Sequence, residues 1–491
     1  MLGTAFLLLN GLLILLLLWT TRTRKKNEPP LDKGFIPWLG HALEFKKDAA
    51  KFLARMKDKH GDIFTVHVAG LYVTVLLDPN SFHNVLNDET NCFDFTRIRG
   101  QVIKRIFKLQ LPFDNPTSER KWMEEHFQGL SLERLNSSMS AHLTSVMLNS
   151  LECFNSSEWR EDGLFGLCYS LLFRAGYLTL FERKDNVAAV YEEFRRFDDL
   201  LTKLARSSLK REEKNVVTTS QERLWNLLSL RCVNKESEPN SWQQSYAEFL
   251  QNQGVEADMQ KKAQLLQLWT TQCNAGPAAF WVLGFLLTHP EAMEAVKSEI
   301  RRLPSLQDTS LQRHPWNLLE AMSTPVFDSV LSETLRLTAA VMIRREVVQD
   351  KILRMANGKE YHLRRGDRMF LFPFLSPQMD PQIHEEPEMF KYNRFLNEDK
   401  TVKKEFYKDG TRLEYYTMPW GAGKNICIGK EFAVTAIKQF LFLFLTYFDL
   451  ELCNPDAKLP PVNPSRFGFG MVHPDGDLRV RFRLKRTQHE M

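Results

Sequence analysis

Apolar positions three and four residues apart recur through most of this chain. They predict helices over residues 52–60, 138–151, 187–204, 259–288, 290–301 and 324–337, and along an apolar run from Phe432 to Phe448. Strict alternation is rarer. Residues 63–68 and 72–77 alternate around Ala69-Gly70 and read as a hairpin. Residues 351–361 turn at Asn357-Gly358, a second hairpin signal, and 478–484 alternate after Pro474-Asp475-Gly476. The pattern predicts a mainly α body with small β-sheets at the two ends of the sequence.

The first segment departs from that pattern. Residues 1–19 are almost wholly apolar and uncharged, close to the length of a spanning helix. Arg22, Arg24, Lys25 and Lys26 follow at once, and cationic residues after the apolar run place the remainder on the cytosolic side. A cleaved leader would carry its charge first and end at small residues. The prolines at 29, 30 and 37 then stiffen the chain. The expected organisation is an N-terminal transmembrane anchor over 1–20, a basic and proline-rich linker over 21–44, and one catalytic domain over 45–491. The sequons at Asn136 and Asn155 should stay unglycosylated in the cytosol.

Composition narrows the function. The chain has 491 residues, 43% of them hydrophobic, with no internal repeat or Gly/Ser linker. A net charge of +5 without a basic, aromatic-interleaved stripe argues against nucleic acid as a partner. Seven unpatterned cysteines suit a reducing compartment.

One cysteine stands apart. Cys427 lies in Trp420-Gly421-Ala422-Gly423-Lys424-Asn425-Ile426-Cys427-Ile428-Gly429, just before the Phe432 helix. Glycines let backbone approach a bulky flat group. A helix start near the sulfur favours thiolate. That is the setting a haem iron needs for an axial ligand. The plain alternative is a buried structural cysteine, which fits the other six.

With Trp420, Gly423, Asn425, Cys427 and Gly429 in place, the chain resembles the haem-thiolate superfamily, cytochrome P-450, whose pattern is Phe-x-x-Gly-x-Arg-x-Cys-x-Gly. Trp420 replaces the Phe. Asn425 stands where an Arg usually meets a haem propionate. The resemblance implies the P-450 fold, haem b on Cys427, and Gly423 and Asn425 beside the cofactor. It also implies a structural triad of Glu333, Arg336 and Arg394, from Glu333-Thr334-Leu335-Arg336 and Asn393-Arg394-Phe395. Spacing of three sets Glu333 and Arg336 on one helical face, which alone is equally a solvated charge pair.

The 259–288 helix carries Gln272-Cys273-Asn274-Ala275-Gly276-Pro277-Ala278-Ala279-Phe280. Oxygen-activating members place an acid and an alcohol where Ala278 and Ala279 stand, and neither methyl moves a proton. Pro277 removes the partner of the Cys273 carbonyl and kinks the helix. Together with Glu28-Pro29-Pro30-Leu31-Asp32, 59–65, 174–180, Arg364-Arg365-Gly366-Asp367-Arg368 and 390–397, these residues narrow the resemblance to the branch that isomerises a prostaglandin endoperoxide. It implies conversion of prostaglandin H2 to prostacyclin, without dioxygen, NADPH or an obligatory reductase, by a monomer in the endoplasmic reticulum membrane.

The same resemblance nominates further residues. Asn274 either hydrogen-bonds the endoperoxide, as a catalytic group, or mends the broken helix. Arg105, Arg344, Arg345 and Arg368 are candidates for haem propionates or substrate. Leu111 falls in a segment used near substrate, and Trp122 offers an indole N–H to a propionate. For each, a surface ion pair or core packing is the competing reading. Two rival functions remain: a sterol 12-alpha-type hydroxylase using dioxygen and a reductase, and a non-catalytic haem- or sterol-binding membrane protein.

Overall fold

The computed structural model describes residues 10–11, 22–111, 117–152, 158–229, 241–302 and 323–485. The expected anchor therefore lies almost entirely outside the described residues, as does Asn155. Two compact units emerge. Unit 1 gathers Met1–Ile98, Ala340–Pro387 and Glu405–Asn425; unit 2 gathers Arg99–Ala339, Glu388–Lys404 and Ile426–Met491. Each is assembled from three stretches of chain, so no single cut in the sequence separates them.

Unit 1 is built on a six-stranded sheet. Its strands are β1 (Leu31–Asp32), β2 (Ile63–Val68), β3 (Leu71–Leu76), β4 (Phe93–Asp94), β6 (Ile343–Val347) and β9 (Arg368–Leu371), in the order β1-β2-β3-β9-β6-β4. The label β5 belongs to Arg160–Gly163 in unit 2. Helix α1 (Ala49–His60) starts where the Asp48 side chain accepts from the Lys51 amide. A hairpin of β7 (Lys351–Arg354) and β8 (Glu360–Leu363) turns at Gly358, and a short ladder joins β10 (Tyr407–Lys408) to β11 (Thr411–Arg412). The sheet thus draws on residues 343–371 as well as the N-terminal part, which corrects the expectation of sheets confined to the two ends. Val73↔Arg368 and its neighbours pair in parallel. Such a pairing across nearly three hundred residues leaves no local signal.

The expected linker is also corrected. Glu28 is buried, Leu31–Asp32 pairs with Thr65 and Val66, and Arg364 clasps Glu28 at 2.5 and 2.8 Å. Arg22 bonds Asp367 at 2.5 Å. The prolines stiffen a segment that is docked, with Arg22, Glu28 and Asp32 each paired to an opposite charge.

Unit 2 is helical: α2 (Thr96–Phe107, its first residues in unit 1), α3 (Thr117–His126), α4 (Gly129–Glu152), α5 (Leu164–Phe181), α6 (Val187–Ala205), α7 (Arg211–Leu228), α8 (Trp242–Asn252), α9 (Ala257–Gln272), α10 (Ala275–Thr288), α11 (Pro290–Arg301), α12 (Pro325–Thr338) and α13 (Lys430–Tyr447). A three-stranded sheet orders β12 (Phe448–Leu452), β13 (Arg479–Leu484) and β5. Helix α5 is long and apolar enough to cross a membrane, but most of its residues are buried in unit 2. Asn136 is buried in α4.

The single helix expected over 259–288 is two helices, broken at Cys273 and Asn274. Pro277 lacks the N–H that the Cys273 carbonyl needs. The first turn of α10 restarts with Ala278 N–H donating to Asn274 O at 3.0 Å. Gly276 lets α10 touch α5, since a β-carbon there would come within 2.6 Å of the Tyr169 ring and 2.7 Å of its Cα.

Candidate functional site

The glycine-rich loop has two parts. In unit 1, Ala422 and Met418 join the apolar cluster beneath the sheet with Leu86 and Ile343. Gly421 and Gly423 have φ of 71° and 61°, a left-handed backbone, and a β-carbon on Gly423 would sit 2.9 Å from the Leu86 carbonyl. Asn425 is exposed at the end of the turn Gly423–Asn425.

In unit 2, Cys427 is exposed, with a free thiol, three residues before α13 begins. The sequence led us to expect that the helix start would favour thiolate. The net direction is upward: desolvation by surrounding protein dominates, while the Gly429 amide and the charges of Arg120 and Lys430 pull the other way. Arg120, absent from the sequence reading, donates from Nη1 to the Ile426 carbonyl at 3.3 Å and pairs with Glu124 at 2.8 Å. Gly429 has an ordinary backbone, and a β-carbon there would meet nothing within 4 Å.

Unit 2 brings Glu333, Arg336 and Arg394 together. Arg336 forks onto Glu333 at 2.7 and 2.9 Å, and Arg394 Nε donates to both carboxylate oxygens at 2.9 Å. The Lys391 amide adds a bond at 3.0 Å. Glu333 and Arg336 are fully buried. A bidentate arginine satisfies a carboxylate geometrically as well as electrostatically.

The candidate cationic residues separate clearly. Arg344 and Arg345 are neighbours on β6, so their side chains leave opposite faces of the sheet. Arg345 is 5% exposed; its Nη1 donates to the Arg344 carbonyl at 2.9 Å and its guanidinium stacks over Phe95. Burial pushes its pKa down to about 10, against the pull of Asp94. No carboxylate pairs with it among the described residues. Arg344 reaches Met342 Sδ at 3.5 Å. Arg368 is already answered by its cross-strand partner Glu346 at 3.4 Å, and Glu346 also takes Arg97 at 3.0 Å. That is the ion-pair alternative weighed for Arg368 from the sequence, and its Nε has no partner among the described residues. Arg105 is exposed at the end of α2, donating to the Ala205 carbonyl at 2.9 Å, where it lines a cavity of about 300 Å³ with Lys108 and Lys214. Leu111 is partly buried, beside residues that are not described.

Trp122 lies on α3 within an aromatic group of His126, Trp242, Tyr246 and Phe249. Its indole N–H has no partner among the described residues. Asn274 stands at the break, just before α10, where the Tyr169 hydroxyl lies 3.5 Å from the freed Cys273 carbonyl. Asn274 Oδ1 accepts from the Met471 amide at 3.0 Å. A backbone N–H can only donate, so this bond fixes which end of the carboxamide is which. Its Nδ2 remains a donor without a partner among the described residues.

Within unit 2, the exposed Cys427 thiol and the Trp122 indole N–H, without a partner among the described residues, fit one ligand and one donor for a flat anionic prosthetic group. Within unit 1, taken by itself, Arg345 is a buried cation with no paired carboxylate among the described residues.

A model of the family "Cytochrome P450" matches residues 29–480. Prostacyclin synthase of Rattus norvegicus is 50% identical over 482 residues, covering 94% of this chain and 95% of the relative. Prostacyclin synthase of Homo sapiens is 49% identical over the same shares. The 7-alpha-hydroxycholest-4-en-3-one 12-alpha-hydroxylase of Oryctolagus cuniculus is 42% identical, covering 97% of this chain and 98% of the relative.

Proposed function

The chain belongs to the cytochrome P450 family, hence is a haem-thiolate protein, and from that premise we propose that it isomerises prostaglandin H2 to prostacyclin without dioxygen, NADPH or a reductase. The observation that carries this reading is the helix break. Ala278 and Ala279 are buried directly after Pro277, where dioxygen activation would need an acid and an alcohol. No side chain at those two positions moves a proton.

The haem, when bound, supplies the one-electron chemistry that opens the oxygen–oxygen bond and closes the rearrangement. Cys427 would ligate its iron, and ligation would hold the sulfur as thiolate despite the desolvation by neighbouring protein that raises the free thiol. Arg345 and Trp122 would meet the propionates that Asn425 cannot neutralise. Asn274 offers a fixed donor to one oxygen of the endoperoxide, holding it for reaction. The buried apolar face of α10, with Phe280 and Val282 near the break, keeps water away. Substrate and product are isomers: one oxygen–oxygen bond is lost, one carbon–oxygen bond is gained, and the proton leaving carbon is balanced by one reaching the second oxygen. No outside electrons are consumed. The enzyme would act as a monomer, held in the endoplasmic reticulum membrane by residues 1–20 with its body in the cytosol. That topology rests on the apolar run and the cations after it.

The test is anaerobic incubation of the haem-loaded protein with prostaglandin H2 and no NADPH. Prompt appearance of prostacyclin's hydrolysis product supports the isomerase. Sterol 12-alpha-hydroxylation that needs oxygen and a reductase, with no endoperoxide turnover, overturns it in favour of the hydroxylase relatives.

A further inference from the structure

A second polar group lies next to the helix break, and the reaction above makes no use of it. Asp198, on α6, is fully buried. Arg466 forks onto it, Nη1 to Oδ1 at 3.1 Å and Nη2 to Oδ2 at 2.5 Å, and Nη2 also reaches the Asp198 carbonyl at 3.0 Å. Trp269 Nε1, on the last turns of α9, donates to Oδ1 at 3.1 Å. The Tyr169 hydroxyl lies 3.3 Å from Oδ2 and 3.5 Å from the freed Cys273 carbonyl. One hydroxyl proton serves one acceptor at a time, and the charged carboxylate is the stronger claimant. His473 and Arg195 complete the group, each 3.8 Å from Oδ2.

Arg466 begins the loop that ends at the donor holding Asn274. Five residues later the Met471 amide bonds Asn274 Oδ1, and the Val472 carbonyl accepts from Trp281 Nε1 at 2.8 Å. Between them Gly470 has a φ of 86°, and a β-carbon there would overlap the Asn274 carboxamide. The loop is therefore pinned at Asp198 through Arg466, at the helix break and on α10 through Met471 and Val472, and at the end of α12, where the Val472 amide donates to the Thr338 carbonyl at 3.0 Å.

Resting on the reading of Asn274 as the donor to the endoperoxide, we infer that Asp198 and Arg466 are positioning residues for that donor. The pair sets the height of the 466–472 loop, the loop sets the Met471 amide, and that amide fixes the Asn274 carboxamide. Burial alone would raise the Asp198 carboxyl, yet Arg466 and its neighbours bring it down to about 2. Burial and the Arg466 charge push His473 down to about 3, so its ring is neutral at working pH. The anchor therefore keeps one charge state across the physiological range.

The test compares Arg466→Lys and Gly470→Ala, each alone and combined with Asn274→Ala, at equal haem content. Arg466→Lys keeps the charge but loses the fork. Gly470→Ala leaves the buried pair intact and crowds the carboxamide. Each single change should lower kcat about tenfold with KM little altered, and each should become nearly silent in the Asn274→Ala background. A second readout is hydrogen exchange in the 466–472 loop, where the Met471 amide should exchange faster in Arg466→Lys. If that variant fails to retain haem, Asp198→Asn, which keeps the shape and removes the charge, takes its place in the same comparison. Losses that persist undiminished without Asn274, or unchanged exchange at Met471, overturn the positioning role while leaving the isomerase reading intact. Full activity of Asn274→Ala itself removes the donor role and the positioning role with it.

Discussion

Cys427 and Arg345 carry the haem side of this reading, and each gives a measurable consequence. Cys427→Ser should abolish the thiolate signature in the reduced carbon monoxide spectrum together with turnover; a variant retaining both would remove Cys427 as the ligand. Arg345 is a buried cation with no paired carboxylate among the described residues, whereas Arg368 pairs with Glu346. Arg345→Leu should therefore weaken haem retention about tenfold, the worth of one charge-assisted bond. Arg368→Leu should do little to haem and instead expose Glu346. Competition for haem by apomyoglobin measures both, and equal losses would show that the pairing does not discriminate them. The sequence singles out Cys427 because glycines crowd around it. It could not choose among four arginines, because the choice depends on partners such as Glu346 that only folding brings near. Arg120, Asp198 and Arg466 carry no motif at all; each matters through a neighbour distant in sequence.

At the scale of elements, periodicity located some helices to within a few residues and missed others, among them Thr96–Phe107, Thr117–His126, Arg211–Leu228 and Trp242–Asn252. Val187–Ala205, Pro290–Arg301 and Pro325–Thr338 lie where apolar spacing puts them. Leu164–Phe181 escaped because it is apolar on nearly every side, so a buried helix leaves no stripe to detect. The Gly276-Pro277 break was legible, but its consequence was not: the carboxamide at the break is held by a loop from the far end of the chain. Two predictions belong here. Glu333→Ala should strand two buried guanidinium groups and cost about 3–5 kcal/mol, read as a lowered thermal midpoint and faster haem loss. Little change in either would make the triad a bystander. Ala279→Thr adds one hydroxyl to a tight helix face and should slow isomerisation only modestly. Asn274→Ala should cost far more, since misplacing reacting atoms by about 1 Å can cost a hundredfold. Equal losses for the two would mean that the break serves packing alone.

For the whole molecule, the sequence suggested that residues 1–26 could be removed without loss to the body, whereas Arg22 is bonded into unit 1. Arg22 is nearly buried between Glu28 and Asp367, and Arg24 Nε donates to the Glu28 carbonyl at 3.0 Å. Flanking charges that look like topology signals are here also structural ions. A chain starting at Arg22 should then load haem and turn over, whereas one starting at Glu28 should be less stable at neutral pH by about 3 kcal/mol, having left Asp367 buried without its cation. The pH dependence has a definite sign. Burial would raise the Glu28 carboxyl, but bonds from Arg364 and the Lys25 amide and the charge of Arg22 bring it to about 2. Its contribution is present above the ordinary carboxylate range and lost as pH falls through about 2. Asp367 runs the other way: burial keeps its pKa raised even with Arg22 beside it, so losing Arg22 makes its ionisation costlier still. The gap between the two chains should therefore be widest near pH 7 and should narrow on acidification as Asp367 takes up its proton. Thermal midpoints measured for both chains at pH 7 and pH 4 decide it. Coincident midpoints at pH 7 would return Arg22 to the role of a flanking charge and the segment before Glu28 to a linker.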